Sequence, residues 1–168
     1  ITLIGAWLAR PGTVVTQLTL SGNAITDFGE DLSGLKALCE VLPSLKNPIS
    51  LDLANCYFKV AEVNELAQAI SASAAVTSIN CLANKFGEED LATLLTAIEG
   101  TSVRSLCGLT EGQTVADFSG RNLGPIDMKI MAAEYGFQGF IAAVASLRCG
   151  NNGMVGKLDE YGDLTPDV

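Results

Sequence analysis

The clearest pattern of apolar and polar positions lies between Val76 and Ile98, VTSINCLANKFGEEDLATLLTAI. It opens with the strand-like positions Val76, Ile79 and Cys81 and reaches Asn84. The spacing then shifts to Leu91, Leu94, Leu95 and Ile98. A period near two followed by a period near 3.6 predicts a strand, a turn and an amphipathic helix. Variants of this unit recur. Val15 to Asn23 reads VTQLTLSGN, which places Leu18 and Leu20 on one face and Thr19 and Ser21 on the other. Leu35, Leu38, Cys39 and Leu42 follow at helical spacing and are stopped by Pro43. Ile49 to Cys56, ISLDLANC, leads to Val63, Leu66, Ala67 and Ile70. Val103 to Leu109 and Val144 to Cys149 predict two further strands.

The strands share the form L-x-L-x-x-(N or C), with Leu18, Leu20 and Asn23, then Leu51, Leu53 and Cys56, then Ile79, Cys81 and Asn84. Leu147, Cys149 and Asn152 give a late copy. Apolar strand residues of one coil have nothing to bury against until coils stack, so the pattern predicts a parallel sheet backed by helices. At each turn an Asn amide offers both a donor and an acceptor to backbone groups, whereas Cys56 offers only a weak donor. Turn residues recur at 23, 56 and 84, and the next would be Arg121, only ten residues after Glu111. A parallel crossover needs about a dozen residues or more. An irregular repeat is therefore expected near 103–134, with Thr110 to Thr114 as a surface loop or hairpin.

A pattern of this form and period resembles leucine-rich repeats. The long, helix-containing units look most like the ribonuclease-inhibitor-like class. The wording SLCGL…QTVADFSGRNLGPIDMKIMAAE is similar to leucine-rich-repeat proteins of unicellular eukaryotes. The resemblance implies an α/β solenoid with a parallel concave sheet and convex helices, as a single domain over 1–168. Residues 1–12 read as the helix half of an earlier repeat and 153–168 as a cap or tail, so the chain reads as a segment of a longer one. The resemblance also implies a non-catalytic protein-binding or scaffold role, such as a bound subunit of a larger assembly. The alternative is regulation of an enzyme, since relatives include ribonuclease inhibitors and Ran GTPase-activating proteins. The aromatic and acidic concave residues of the inhibitors are missing here.

Composition narrows this picture. Nineteen Asp and Glu against ten Lys and Arg give a formal charge of −9, which repels nucleic acid and favours basic or neutral protein partners. The 168 residues are 48% hydrophobic and only 17% charged, which suggests that some outer surface is covered by a partner. ITLIGAWLA and FIAAVASL are about half the ~20 residues needed to span a bilayer. Five widely spread cysteines without a paired spacing suggest reduced thiols and an intracellular location, cytoplasm or organelle interior. Cys81 and Cys149 share a register position two or more steps apart, roughly 10 Å or more. A disulfide needs Cα atoms within about 7 Å, so none is expected.

The chain contains no histidine, which removes His-based general bases, Ser-His and Cys-His pairs and the usual zinc sites. No catalytic residues, cofactor or metal are expected. Glu88, Glu89 and Asp90 fall where a helix begins and negative charge is favourable. Gly150 to Gly156 lacks the phosphate-loop form and reads as a repeat turn. The surface to inspect is the concave face. Its central column is Thr19, Asp52, Asn80, Cys107, Asp117 and Arg148, with Asn80 the expected outward contact of the Val76–Ile98 unit.

Overall fold

Leu51, Leu53, Ile79 and Cys81 are fully buried, and the strands that carry them lie side by side. The computed structural model describes residues 2–137, 139–153, 157–158 and 164–165. Strands β1 (Gln17–Thr19), β2 (Ile49–Asp52) and β3 (Val76–Asn80) form one parallel sheet in the order β1-β2-β3. The register places Leu18 beside Leu51 and Leu51 beside Ile79. Strands β4 (Val115–Asp117) and β5 (Ser146–Arg148) form a second, two-stranded parallel sheet.

Helices α1 (Thr2–Leu8), α2 (Ser33–Val41), α3 (Val60–Ala72), α4 (Glu88–Ile98) and α5 (Pro125–Gly136) occur between or before the strands. Consecutive pairs pack along the stack from α1 to α4. Each turns its predicted stripe inward: Leu35, Leu38 and Cys39 on α2, Val63, Leu66, Ala67 and Ile70 on α3, Leu91, Leu94 and Ile98 on α4. Leu95 is half-buried. Helix α2 ends at Val41, and a 3-10 turn through Pro43 carries the chain away, because proline cannot donate to a continuing helix. Burying each of these leucines contributes about 1.5–3 kcal/mol relative to exposure.

The turns are built to one plan. Asn84 Oδ1 accepts from the backbone N–H groups of Cys56 and Phe58, both at 3.0 Å, and its Nδ2 donates to the carbonyls of Leu53 and Cys81, both at 2.9 Å. Asn152 repeats this: Oδ1 accepts from Arg121 and Leu123, and Nδ2 donates to Phe118 and Cys149. Cys56 supplies the weak donor expected of it, with Sγ 3.3 Å from the Leu20 carbonyl. A left-handed residue stands immediately before each of these positions: Gly22, Asn55, Ala83, Gly120 and Asn151. The shared backbone reversal explains why strands of such different sequence leave the sheet alike.

A second shared device sits at the helix starts. Glu62, Asp90 and Asp127 are buried at the third helical position, and each accepts the backbone N–H of the residue before its helix, Lys59, Gly87 or Gly124, at 2.8–3.0 Å. Two of them also tie their unit to another one. Glu62 Oε1 accepts from the Thr26 hydroxyl at 2.8 Å, and Asp127 Oδ1 accepts from Ala83 N–H at 2.7 Å. Of the acidic cluster at 88–90, Asp90 is thus a helix cap and Glu88 pairs with Lys129.

The tail expected over 153–168 falls mostly outside the described residues. Within it, Lys157–Leu158 and Leu164–Thr165 pair antiparallel. The Ile1 end of the expected opening segment also lies outside them, while Thr2–Leu8 is helical as predicted.

Candidate functional site

The column read from sequence exists as a set of register neighbours, but only part of it is open. Thr19 lies beside Asp52 and Asp52 beside Asn80, and Asp117 lies beside Arg148 with 3.6 Å between carboxylate and guanidinium. Thr19, Asp117 and Arg148 are exposed and Asp52 is half-buried. Asn80 and Cys107 are 7% and 2% exposed, so the expectation that both face outward is corrected. The cause is the irregular repeat.

After α4 the chain runs alongside β3. Arg104 N–H donates to Thr77, Ile79 N–H to Ser105, and Cys81 N–H to Leu106. It then doubles back. Gly108 N–H donates to the Ile79 carbonyl, and the Ser78 hydroxyl donates to the Leu109 carbonyl at 2.8 Å. Asn80 and Cys107 meet in an antiparallel bridge. The segment Cys107–Gln113 therefore forms a strap over the concave side of β3. It ends in a turn in which Gln113 Oε1 accepts from Thr110 N–H and Gln113 Nε2 donates to Val115.

Gly108 is obligatory in this path. Its φ is 77°, and a Cβ there would stand 2.7 Å from Asn80 Cβ. Coverage grades along the sheet: Gln17 is exposed, Ser50 half-buried, Ser78 buried. The strap, β1, β2 and β4 enclose a concave recess of about 330 Å³. Asp52, Asn80, Cys107 and Asp117 all line it, with Gln17 and Arg121 at its sides; Thr19 and Arg148 lie outside it.

Charge in the recess is mixed and largely engaged. Asp52 accepts from the Ser21 hydroxyl and Ala54 N–H. Asp117 accepts from Ser119 N–H, and that hydrogen bond, assisted by Arg148, holds its carboxyl below the usual range. The Arg121 guanidinium lies 5.4 Å from the centre of the Phe118 ring. Arg121 takes the turn position of its unit, and its side chain cannot supply the acceptor that an Asn would. Asp127 of the same unit accepts Ala83 N–H.

Behind the strap, sequence reasoning missed Glu134. It is fully buried on α5, its Oε1 accepts Leu106 N–H at 3.2 Å, and its Oε2 has no partner. Desolvation pushes its carboxyl above the ordinary range. Burial and the neighbouring Glu134 push the Cys107 thiol well up. The extra segment over 103–109 is followed by no helix before β4. A groove of about 790 Å³ is lined by Leu95, Ile98, Val103, Ala133 and Phe137.

Among the described residues no three Cys, Asp or Glu side chains come together to hold a metal ion, and no helix is long and apolar enough to cross a membrane. All five cysteines are free.

Short parallel strands stacked against helices place the chain among mixed α/β repeat-like folds. A solved structure described as a tropomodulin C-terminal domain, from Caenorhabditis elegans, is similar to it. The TM-score is 0.52 and the identity 17%, over 87% of this chain and 80% of that one. At that identity the likeness speaks to fold. No protein-family model and no curated protein matches the sequence.

Proposed function

We propose that the chain is a non-catalytic protein-binding module, a leucine-rich-repeat solenoid of the ribonuclease-inhibitor-like class that works by its concave face. The observation that carries the reading is the recess of about 330 Å³ lined by Asp52 and Asp117 beside the strap. Exposed Thr19, Asp117 and Arg148 and half-buried Asp52 supply the contacts. A partner presenting a basic side chain to Asp52 and Asp117 suits both the recess and the charge of −9. A preformed surface of this kind binds with little ordering cost. Five free thiols support a reducing compartment. The tropomodulin domain's likeness supports the fold on which this reading rests.

The test is site-specific photo-cross-linking in source-cell extract, with the reactive group at Gln17 or Thr19 and, as control, at exposed Thr93 on α4. One discrete adduct from the concave positions, lost in Asp52→Lys and Asp117→Lys, is the expected outcome. Adducts from Thr93 alone would overturn the concave reading. If the adduct were an enzyme whose rate changed on binding, the module would be its regulator through the same face.

A further inference from the structure

Three observations converge on the strap. Its reversal at Cys107–Leu109 covers Ser78 and Asn80, residues that the parallel sheet would otherwise present on the concave face. Its root is fastened from behind by a single side chain of α5, since Glu134 Oε1 accepts Leu106 N–H. That side chain is wholly buried with its second oxygen unpartnered. We propose that Glu134 is a proton-dependent latch: as a neutral acid it holds the strap over the concave face, and as a carboxylate it releases it. The proposal gives regulation to the face assigned above and rests on that reading for its use.

The physical case is the cost of the buried charge. Burial away from any counter-ion disfavours the carboxylate and outweighs the donors that face it, the Cys107 thiol, the Ser105 hydroxyl and the Leu106 and Cys107 N–H groups, so the closed strap favours the neutral acid. The titratable groups around it are the Cys107 thiol of the strap, the Cys81 thiol beyond it and Asp127 on the same helix. None is a cation, and the Arg104 guanidinium is committed to the Thr101 and Val103 carbonyls. The strap's remaining ties are few: Ser105 Oγ accepts from Cys107 and Leu109 N–H, Gly108 N–H donates to the Ile79 carbonyl, and Ser78 donates to Leu109. Burial raises the folded-state pKa above the ordinary 4.5. The latch therefore contributes fully below about that value and is lost as pH rises through the raised one. Between the two, one proton's difference makes the opening constant rise about tenfold per pH unit, and above the raised value it levels off.

Hydrogen exchange of the purified protein, read at the amides of Leu106, Gly108 and Leu109, tests this without any partner. After correction for the base-catalysed acceleration of exchange itself, protection of these amides should fall with rising pH while that of Leu51 and Leu53 in the β2 region holds. Glu134→Gln keeps an acceptor for Leu106 N–H but cannot ionise, so its protection should be flat across the same range. Gly108→Ala, which collides with Asn80, should leave the strap unprotected at every pH. Protection in the wild type that does not change with pH, or the same pH dependence in Glu134→Gln, overturns the latch. If Glu134→Gln does not fold, the contrast between strap and β2 amides in the wild type decides. Cross-links from Thr19 together with a pH-flat strap would remove the latch and leave the interface. A pH-responsive strap with no cross-link at either extreme would do the reverse.

Discussion

Replacing Asn84 with alanine tests the turn ladder most directly. The substitution removes an acceptor that serves Cys56 and Phe58 N–H and a donor that serves the Leu53 and Cys81 carbonyls, all four bonds being buried and 2.9–3.0 Å long. An orphaned buried polar group costs about 1–3 kcal/mol, and carbonyls bear the loss better than N–H groups. Two stranded N–H groups dominate, so partial relaxation leaves an expected loss of about 3–4 kcal/mol. Asn152 makes the same four bonds at 2.8–3.1 Å but is only half-buried, so water can replace it. Asn152→Ala should cost about 1 kcal/mol or less. Urea unfolding followed by circular dichroism reads both as a midpoint shift at constant slope. If Asn84→Ala were no more damaging than Asn152→Ala, burial would not govern the ladder, and the reasoning would fail.

Other outcomes follow from the same geometry. Ala83 is held at φ 57°, where an L side chain is strained by about 1–2 kcal/mol, so Ala83→Gly should raise the urea midpoint despite glycine's greater freedom when unfolded. Glu62→Ala strands the buried Thr26 hydroxyl and Lys59 N–H and should cost about 2–3 kcal/mol, with Thr26→Val recovering part of it. In native protein a thiol reagent should modify half-buried Cys149 first, because burial protects the other four and pushes Cys39 up to about 12, aided by Glu65 and Glu40. Mass spectrometry should find one fast adduct natively and five after unfolding without reductant; several fast native adducts would contradict the packing.

Much of the repeat was legible because its physics is periodic. Leu18, Leu51 and Ile79 fall in register, and the helix stripes bury as their spacing requires. The short distance from Glu111 to Arg121 located the irregular unit, since two full ladder strands do not fit there. Its reversal was less visible. VRSLCGL alternates like a further strand, so Cys107 was read as an open column residue. The overlooked signal was Gly108, which takes the place held by Leu20, Leu53 and Cys81 in the other units and has no side chain for the core. Glu134 was also hidden in plain pattern: four residues after Ile130 and three after Met131, it occupies the buried stripe of α5. The left-handed residue before each turn position left a trace as well, with Gly or Asn at four of five places and Ala83 the exception.

The interrupted ladder divides the molecule mechanically. From β1 to β3 the strands share a continuous sheet, and β4 with β5 form another. In stacked proteins cohesion is set by nearest-neighbour interfaces, so the weakest one determines where a load is relieved. Stretched between residues 17 and 148, the chain should part first where Asp127 reaches Ala83 and Lys129 reaches Glu88. The step that relieves tension there would also draw the doubled-back segment off the sheet. A pull transmitted along the stack would thus uncover Asn80 before either block of strands came apart.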